Sequence, residues 1–242
     1  PWFVLAWGSV VCSSGRQLVR GIDVTVCRAG SHLLVSSSHG DPGETGAMLR
    51  AMRGRVDGLI VLSPDLSAPA LRASLPDSFP VVVLNSATDA RPFDQINIDN
   101  YNGAFGMVRH LAGLGHRRIA FIKGPPANGD AMERLRGYRD AMRSLGDGWS
   151  EQLEYPGTFR EDAGYRAGLR ILKAVPRPTA IFAANDGMAV GCLAALREAG
   201  KSVPEDFWLA GVDDLPIPSF VYPGIPSFPG PIATLAPCRS ET

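Results

Sequence analysis

The chain alternates between short runs that are apolar at every position and longer stretches in which apolar residues recur every three or four positions. "VDGLIVL" (Val56–Leu62), "FPVVVLN" (Phe79–Asn85), "RRIAFIKG" (Arg117–Gly124), "TAIFAA" (Thr179–Ala184) and "FWLAGVD" (Phe207–Asp213) are of the first kind. A strand that is apolar on both faces is covered on both faces, which is the pattern of a parallel sheet between layers of helices. His32–Ser36 predicts a shorter apolar strand, and the opening "PWFVLAWGSVVCSSG" predicts a buried first strand. Between these runs the period changes to that of a helix. Gln17–Ala29 is weakly helical, and Glu44–Arg53 carries Ala47, Leu49 and Met52 as its apolar members. A short helix is expected near Ala68–Ser74. Asp99 is a good N-cap for a helix with Ala104, Val108 and Leu111 at helical spacing, closed by Gly113 or Gly115. Asp130–Leu145 carries the stripe Ala131, Leu135, Tyr138 and Met142, and helices over Glu161–Ala174 and up to Ala199 follow. The repeated helix–strand beat predicts an α/β fold. Two sets of three or four strands fit two doubly wound parallel-sheet lobes better than one large sheet.

Composition narrows the function classes. The chain has 242 residues, 45% hydrophobic and 20% charged, with Lys+Arg equal to Asp+Glu at 24 each. Net charge therefore gives no argument for nucleic-acid binding by this chain. The four cysteines (Cys12, Cys27, Cys192, Cys238) have no paired spacing, and the four histidines form no H-E-x-x-H pattern, so neither a metal site nor a disulfide framework is expected. Cys192 falls in an apolar helical pattern and reads as a small core residue. No run is long enough for a membrane span.

Strand exits carry the candidate chemistry. In open α/β sheets ligands bind beyond the carboxyl ends of the strands. "TAIFAA" ends on Asn185-Asp186, "VVVLN" on Asn85, "LIVLS" on Ser63 and "LAGVDD" on Asp213-Asp214. Each residue could equally be a helix cap or an Asx-turn. Asp186, directly before a helix, reads as the cap, whereas for Asn185 and Asp213 ligand contact and capping remain equally open. Arg134 lies near the start of the helix that follows Arg117–Gly124 and can offer a bidentate fork to ligand oxygens. Its neighbours Glu133 and Arg136 read as a solvated pair. Phe159 could cover an apolar ligand face or serve packing alone. Asn, Asp, Arg and an aromatic are the residue types that read a neutral polyol or sugar. No nucleophile–base pair emerges, "AGKS" at Ala199–Ser202 lacks the first glycine of a phosphate loop, and "GMAVG" (Gly187–Gly191) does not meet the dinucleotide fingerprint. An enzyme is not expected, nor a cofactor.

"LGHRRIAFIKGPP", "ERLRGYRDAM", "VDGLIVLSP" and "AIFAANDGMAVGCLAALREAGKSVPEDFWLAGVDDLPIP" together resemble the effector-binding core of the LacI/GalR family of bacterial transcription regulators, over Gln17–Leu235. The resemblance implies a type I periplasmic-binding-protein-like fold in which two lobes close on a small effector, usually a sugar or nucleobase. It implies an N-terminal lobe over 1–97, a C-terminal lobe over 98–222, and a crossover back towards the first lobe over 223–242. Arg134, Asn185 and Asp213 match the family's effector-contacting positions, Phe159 matches its aromatic cover, and Ser63 is a weaker candidate. Asn85 stands where many members carry Asp, which keeps an acceptor and removes a charge. A cytoplasmic homodimer is implied, with operator DNA bound only through a helix-turn-helix.

The chain departs from the family pattern in three places. It holds no helix-turn-helix; Cys12-Ser13-Ser14-Gly15 stand where many members have Asn-Pro-Phe-Phe; and it stops at Thr242, where the family continues with a helix and further strands. The expectation is a fragment, or a reading frame damaged at both ends, with a lobe incomplete at the C-terminus. The alternative reading is a periplasmic sugar-binding protein of a transport system, which shares the fold and would account for the apolar start.

Overall fold

The structure is a computed structural model that describes residues 1–7, 13–37, 42–52, 54–62, 69, 71, 73, 75, 79–85, 93–146, 149–212 and 227–228. The described chain forms two compact units, Pro1–Ile98 and Asp99–Gly230. In the first, the strands are β1 (Trp2–Trp7), β2 (His32–Ser37), β3 (Gly58–Leu62), β4 (Val81–Leu84) and β5 (Asp94–Ile96), with helices α1 (Ser13–Arg28) and α2 (Pro42–Ala51) between them. In the second they are β6 (Ile119–Ile122), β7 (Glu154–Tyr155), β8 (Ala180–Ala183), β9 (Trp208–Val212) and β10 (Ser227–Phe228). Helices α3 (Asn100–Gly113), α4 (Gly129–Ser144), α5 (Glu161–Ile171) and α6 (Asp186–Glu198) accompany them.

Each unit holds a five-stranded parallel sheet, and the two orders are the same. The first runs β2-β1-β3-β4-β5 and the second β7-β6-β8-β9-β10. In both, the unit's first strand lies between its second and third, so the winding direction reverses there. The sequence predicts this doubly wound α/β class, and the fold agrees. The first strand is interior as expected: β1 pairs with both β2 and β3, and Val4 is fully buried.

The strands read from apolar runs are the core of each sheet. β6 and β8 align Ile119 with Ala180 and Phe121 with Phe182, and all eight of their residues are buried. Tyr138 stacks on Phe121 with ring centroids 4.7 Å apart and donates its hydroxyl to the carbonyl of Ile119 at 2.8 Å. A buried phenol needs such a partner. Cys192 is fully buried in the same core, and burial pushes its thiol up to about 12, so it is an inert packing residue. Among the described residues, the first unit's core is built on Val4, Leu49, Leu59, Val61, Val81 and Val83.

Three short strands were not legible as apolar runs. β5, β7 and β10 have two or three residues each and flank longer strands. β2 lies at the sheet's end, so Leu34 and Val35 stay 40% and 50% exposed despite their apolar character. Pro69, Leu71 and Ala73 are helical, where a short helix was expected. Helix pairs pack closely through glycines. A Cβ on Gly191 of α6 would run into the carbonyl of Glu161 at the start of α5, and one on Gly137 of α4 into the carbonyl of Tyr101 on α3.

Candidate ligand-binding site

Arg134, Asn185 and Phe159 come together at the carboxyl ends of β6 and β8, the strand pair where the second sheet's winding reverses. Each is placed by its element. Asn185 is the first residue after Ala184, whose N–H still bonds the carbonyl of Ile122 at 2.9 Å. Its backbone is extended (φ −156°, ψ 166°), and its Oδ1 accepts from the N–H of Met188 at 3.0 Å, capping α6. Its Nδ2 donates to the carbonyl of Phe159 at 2.9 Å. One amide side chain therefore uses its acceptor on a helix and its donor on a loop.

The cap is Asn185 and not Asp186, contrary to the sequence reading. A cap residue has non-helical φ and ψ, and Asp186 is already the first helical residue. Asp186 is fully buried and packs on Gly211, where a Cβ would collide with its Oδ1.

Arg134 sits in the second turn of α4, which is capped by Asn128 accepting from the N–H of Ala131 at 2.9 Å. It is 6% exposed. Its Nη1 donates to the carbonyl of Ala184, immediately before Asn185, and its Nε donates to Oδ1 of Asn100 at 2.7 Å. Asn100 Nδ2 in turn donates to Asp130 Oδ1 at 2.9 Å. Burial pushes the Asp130 carboxyl above its ordinary range, against the opposing pull of Arg134 and Asn100.

Phe159 ends the loop that leaves β7. That strand is held to β6 by the Lys123 N–H bonding the Tyr155 carbonyl at 2.8 Å. Below it, Glu154 accepts two bonds from Arg139, at 2.7 and 2.8 Å, and one from Lys123 at 3.3 Å. Burial raises the Glu154 carboxyl, but the two cations outweigh it and hold it below the usual range. The ring of Phe159 lies 6.0 Å from the Arg134 guanidinium carbon and rests on Gly124, where an added Cβ would sit 2.6 Å from two ring carbons. Phe159 has φ 65°, a conformation unfavourable for a bulky residue.

Asn85 belongs to the first unit. It also has positive φ, 51°, which Asn tolerates. Its N–H bonds the carbonyl of Ile96 at 2.9 Å and its Oδ1 accepts from the N–H of Ile98 at 3.2 Å. Ser63 and Asp213 lie outside the described residues. Glu133 and Arg136 form the expected exposed ion pair, with Arg136 also lying 4.0 Å over the Tyr101 ring. Asn100 and Asp130 were not singled out in the sequence as site residues. The link of Asn100 to Arg134 spans 34 positions and two helices, and no local pattern encodes it. The helix starts at Gly129, one residue before the expected Asp130, and its cap at Asn128 was not singled out in the sequence.

Among the described residues, no group of three His, Cys, Asp or Glu side chains is placed to hold a metal ion, and no helix is long and apolar enough to cross a membrane.

Comparison with known proteins identifies the family of the fold. The periplasmic binding protein-like domain family matches residues 108–236. The ribose operon repressor of Escherichia coli (strain K12) is 33% identical over 210 residues, which are 86% of this chain and 63% of that protein. The chain thus spans less than two thirds of that repressor's length. The crystal structure of the Escherichia coli transcriptional repressor ascG superposes with a TM-score of 0.86 at 25% identity, covering 97% of this chain and 87% of that one. The transcriptional regulator CelR in complex with cellobiose gives a TM-score of 0.83 at 27% identity, covering 97% and 74%. These relatives are regulators of transcription, not transport proteins. The chain belongs to the periplasmic binding protein-like domain family and is a homologue of the LacI-family transcriptional regulators.

Proposed function

We propose that the chain is the effector-sensing core of a transcription regulator and takes a sugar or a similarly small polar ligand. One observation carries this reading: a buried arginine, a capping amide and a strained aromatic converge at the strand exits where the second sheet's winding reverses. Arg134 offers charge-assisted donors to ligand hydroxyl oxygens, Asn185 sets the floor of the site, and Phe159 covers the C–H face of a ring. Asp213, Asn85 and Ser63 complete the proposed contacts on the strength of the family resemblance. The CelR complex with cellobiose supports the ligand class.

The described groups offer no nucleophile–base pair, and in this reading the protein is not an enzyme. It acts in the cytoplasm as a homodimer, and operator contact belongs to a helix-turn-helix. Effector binding shifts the population towards one arrangement, and couplings of this kind are typically ~1–3 kcal/mol.

Titration calorimetry against D-ribose, cellobiose and a panel of further mono- and disaccharides tests the reading. One sugar is expected to bind, and Arg134→Ala to weaken it about 10- to 100-fold, because ligand hydroxyls are left buried and unpaired. A panel in which nothing binds, or an affinity that ignores Arg134→Ala, overturns the assignment.

A further inference from the structure

We propose that Asn100 is a positioning residue for Arg134: its amide stands between the guanidinium and the Asp130 carboxylate and keeps the two from pairing directly. The role in ligand binding rests on the reading of Arg134 given above.

Asp130 and Arg134 are four residues apart on one helix, the spacing at which a carboxylate and a guanidinium meet. Both lie in the interior half of α4, where Coulomb attraction is screened less than at the surface. Without Asn100, the Nε edge of Arg134 would be drawn to Asp130 and away from the strand exit. Asn100 comes between them from α3, accepting from Arg134 at 2.7 Å and donating to Asp130 at 2.9 Å. A carboxamide carries an acceptor and donors on adjacent atoms, so it satisfies a cation and an anion at once. The charges also fix its orientation, because the flipped amide would set NH₂ against the guanidinium and C=O against the carboxylate. Aspartate at position 100 could not donate to Asp130, and an aliphatic residue could do neither.

The fold holds Asn100 in place. It is 6% exposed, it is the first residue of α3, and Asp99 caps that helix by accepting from the N–H of Asn102 at 3.0 Å. α3 in turn lies against α4 at Gly137, with no room for a Cβ. With Nε fixed on Asn100, Arg134 directs Nη1 to the Ala184 carbonyl, at the strand exit where Asn185 begins. Asn100 is also the second residue past the boundary between the two units.

The sign of a titration shift tests the proposal without a ligand. Among the described residues, the groups that act on Asp130 are Arg134 on its own helix and Asn100 from α3. The carbon-13 signal of the Asp130 carboxyl is followed against pH in the whole chain and in Asn100→Ala. If Asn100 only supplies a structural hydrogen bond, its loss removes a donor and the Asp130 pKa rises. If it separates the charges, Arg134 closes on Asp130 and the pKa falls, by about one pH unit or more. That fall is expected to disappear in Asn100→Ala/Arg134→Met, because no cation is left on α4 to close on Asp130. Should Asn100→Ala fail to fold, Asn100→Ser serves, with a fall expected in the same direction. A rise, or no change, in the folded variant overturns the proposal. The outcome is independent of the sugar titrations. Binding that ignores Arg134→Ala would end the site reading, whereas the Asp130 shift alone decides the charge separation.

Discussion

Asn185 does two jobs with one amide, and they can be separated by substitution. Asn185→Ala removes the cap on α6, worth ~1 kcal/mol in a range of about 0.5–2. It also removes the donor to the Phe159 carbonyl, worth ~0.5–1.5 kcal/mol. The expected total is ~2 kcal/mol. Asn185→Ser keeps a capping oxygen but is too short to reach Phe159, so it should lose only the second part, ~1 kcal/mol. Hydrogen exchange at the Met188 amide reads this locally, because that N–H is the one Asn185 caps. Exchange should quicken about 30-fold in the alanine variant and about 5-fold in the serine variant, at 1.4 kcal/mol per tenfold. Equal rates in the two variants would show that the cap contributes nothing, and a wild-type rate in the serine variant that the Phe159 tether contributes nothing. Wild-type rates in both would falsify the assignment of Asn185 as the cap.

Two further predictions follow from packing and charge. Glu154 is held below the ordinary value of 4.5 by Arg139 and Lys123, so its stabilisation is full above that value and is lost as pH falls through the lower folded-state value. Glu154→Gln should therefore be less stable at pH 7 by ~1–3 kcal/mol, less than the ~3–5 kcal/mol for breaking a fully buried pair because both cations are a third exposed, with the gap closing towards pH 3; urea midpoints at the two pH values check it, and a pH-independent gap would count against it. Gly191→Ala should cost ~1–3 kcal/mol by forcing α6 away from α5, read as a lower melting temperature, whereas Gly113→Ala, with nothing within 4 Å, should gain up to ~1 kcal/mol from helix propensity; equal effects of the two would refute the close-approach argument.

What the sequence made legible follows the range of each interaction. β6, β8 and β9 are apolar throughout because both faces of the sheet are covered, and local composition records that burial directly. β7 is Glu154-Tyr155, whose Glu is buried only because Arg139 and Lys123 reach it, so its polar character concealed a strand. Arg134 was visible as an arginine early in a helix, but its burial was not, since it depends on partners 34 and 50 positions away. The cap was off by one residue, because Asn185 and Asp186 are both good capping residues and only the backbone angles distinguish them.

Backbone strain gives an independent reason to place the site where these side chains converge. Among the described residues, two non-glycine positions have positive φ, Asn85 and Phe159, and both were singled out from the sequence for other reasons. Asn tolerates that conformation, because its short side chain can bond locally, as Asn85 does with the N–H of Ile98. Phe has no such outlet, and holding it there costs ~1–3 kcal/mol. The surroundings supply the restraint: Asn185 donates to its carbonyl, and Gly124 leaves the room that seats its ring. The strained ring lies 6.0 Å from the guanidinium carbon of Arg134, and the proposed role of Phe159 as an aromatic cover beside that arginine would give such a conformation a use.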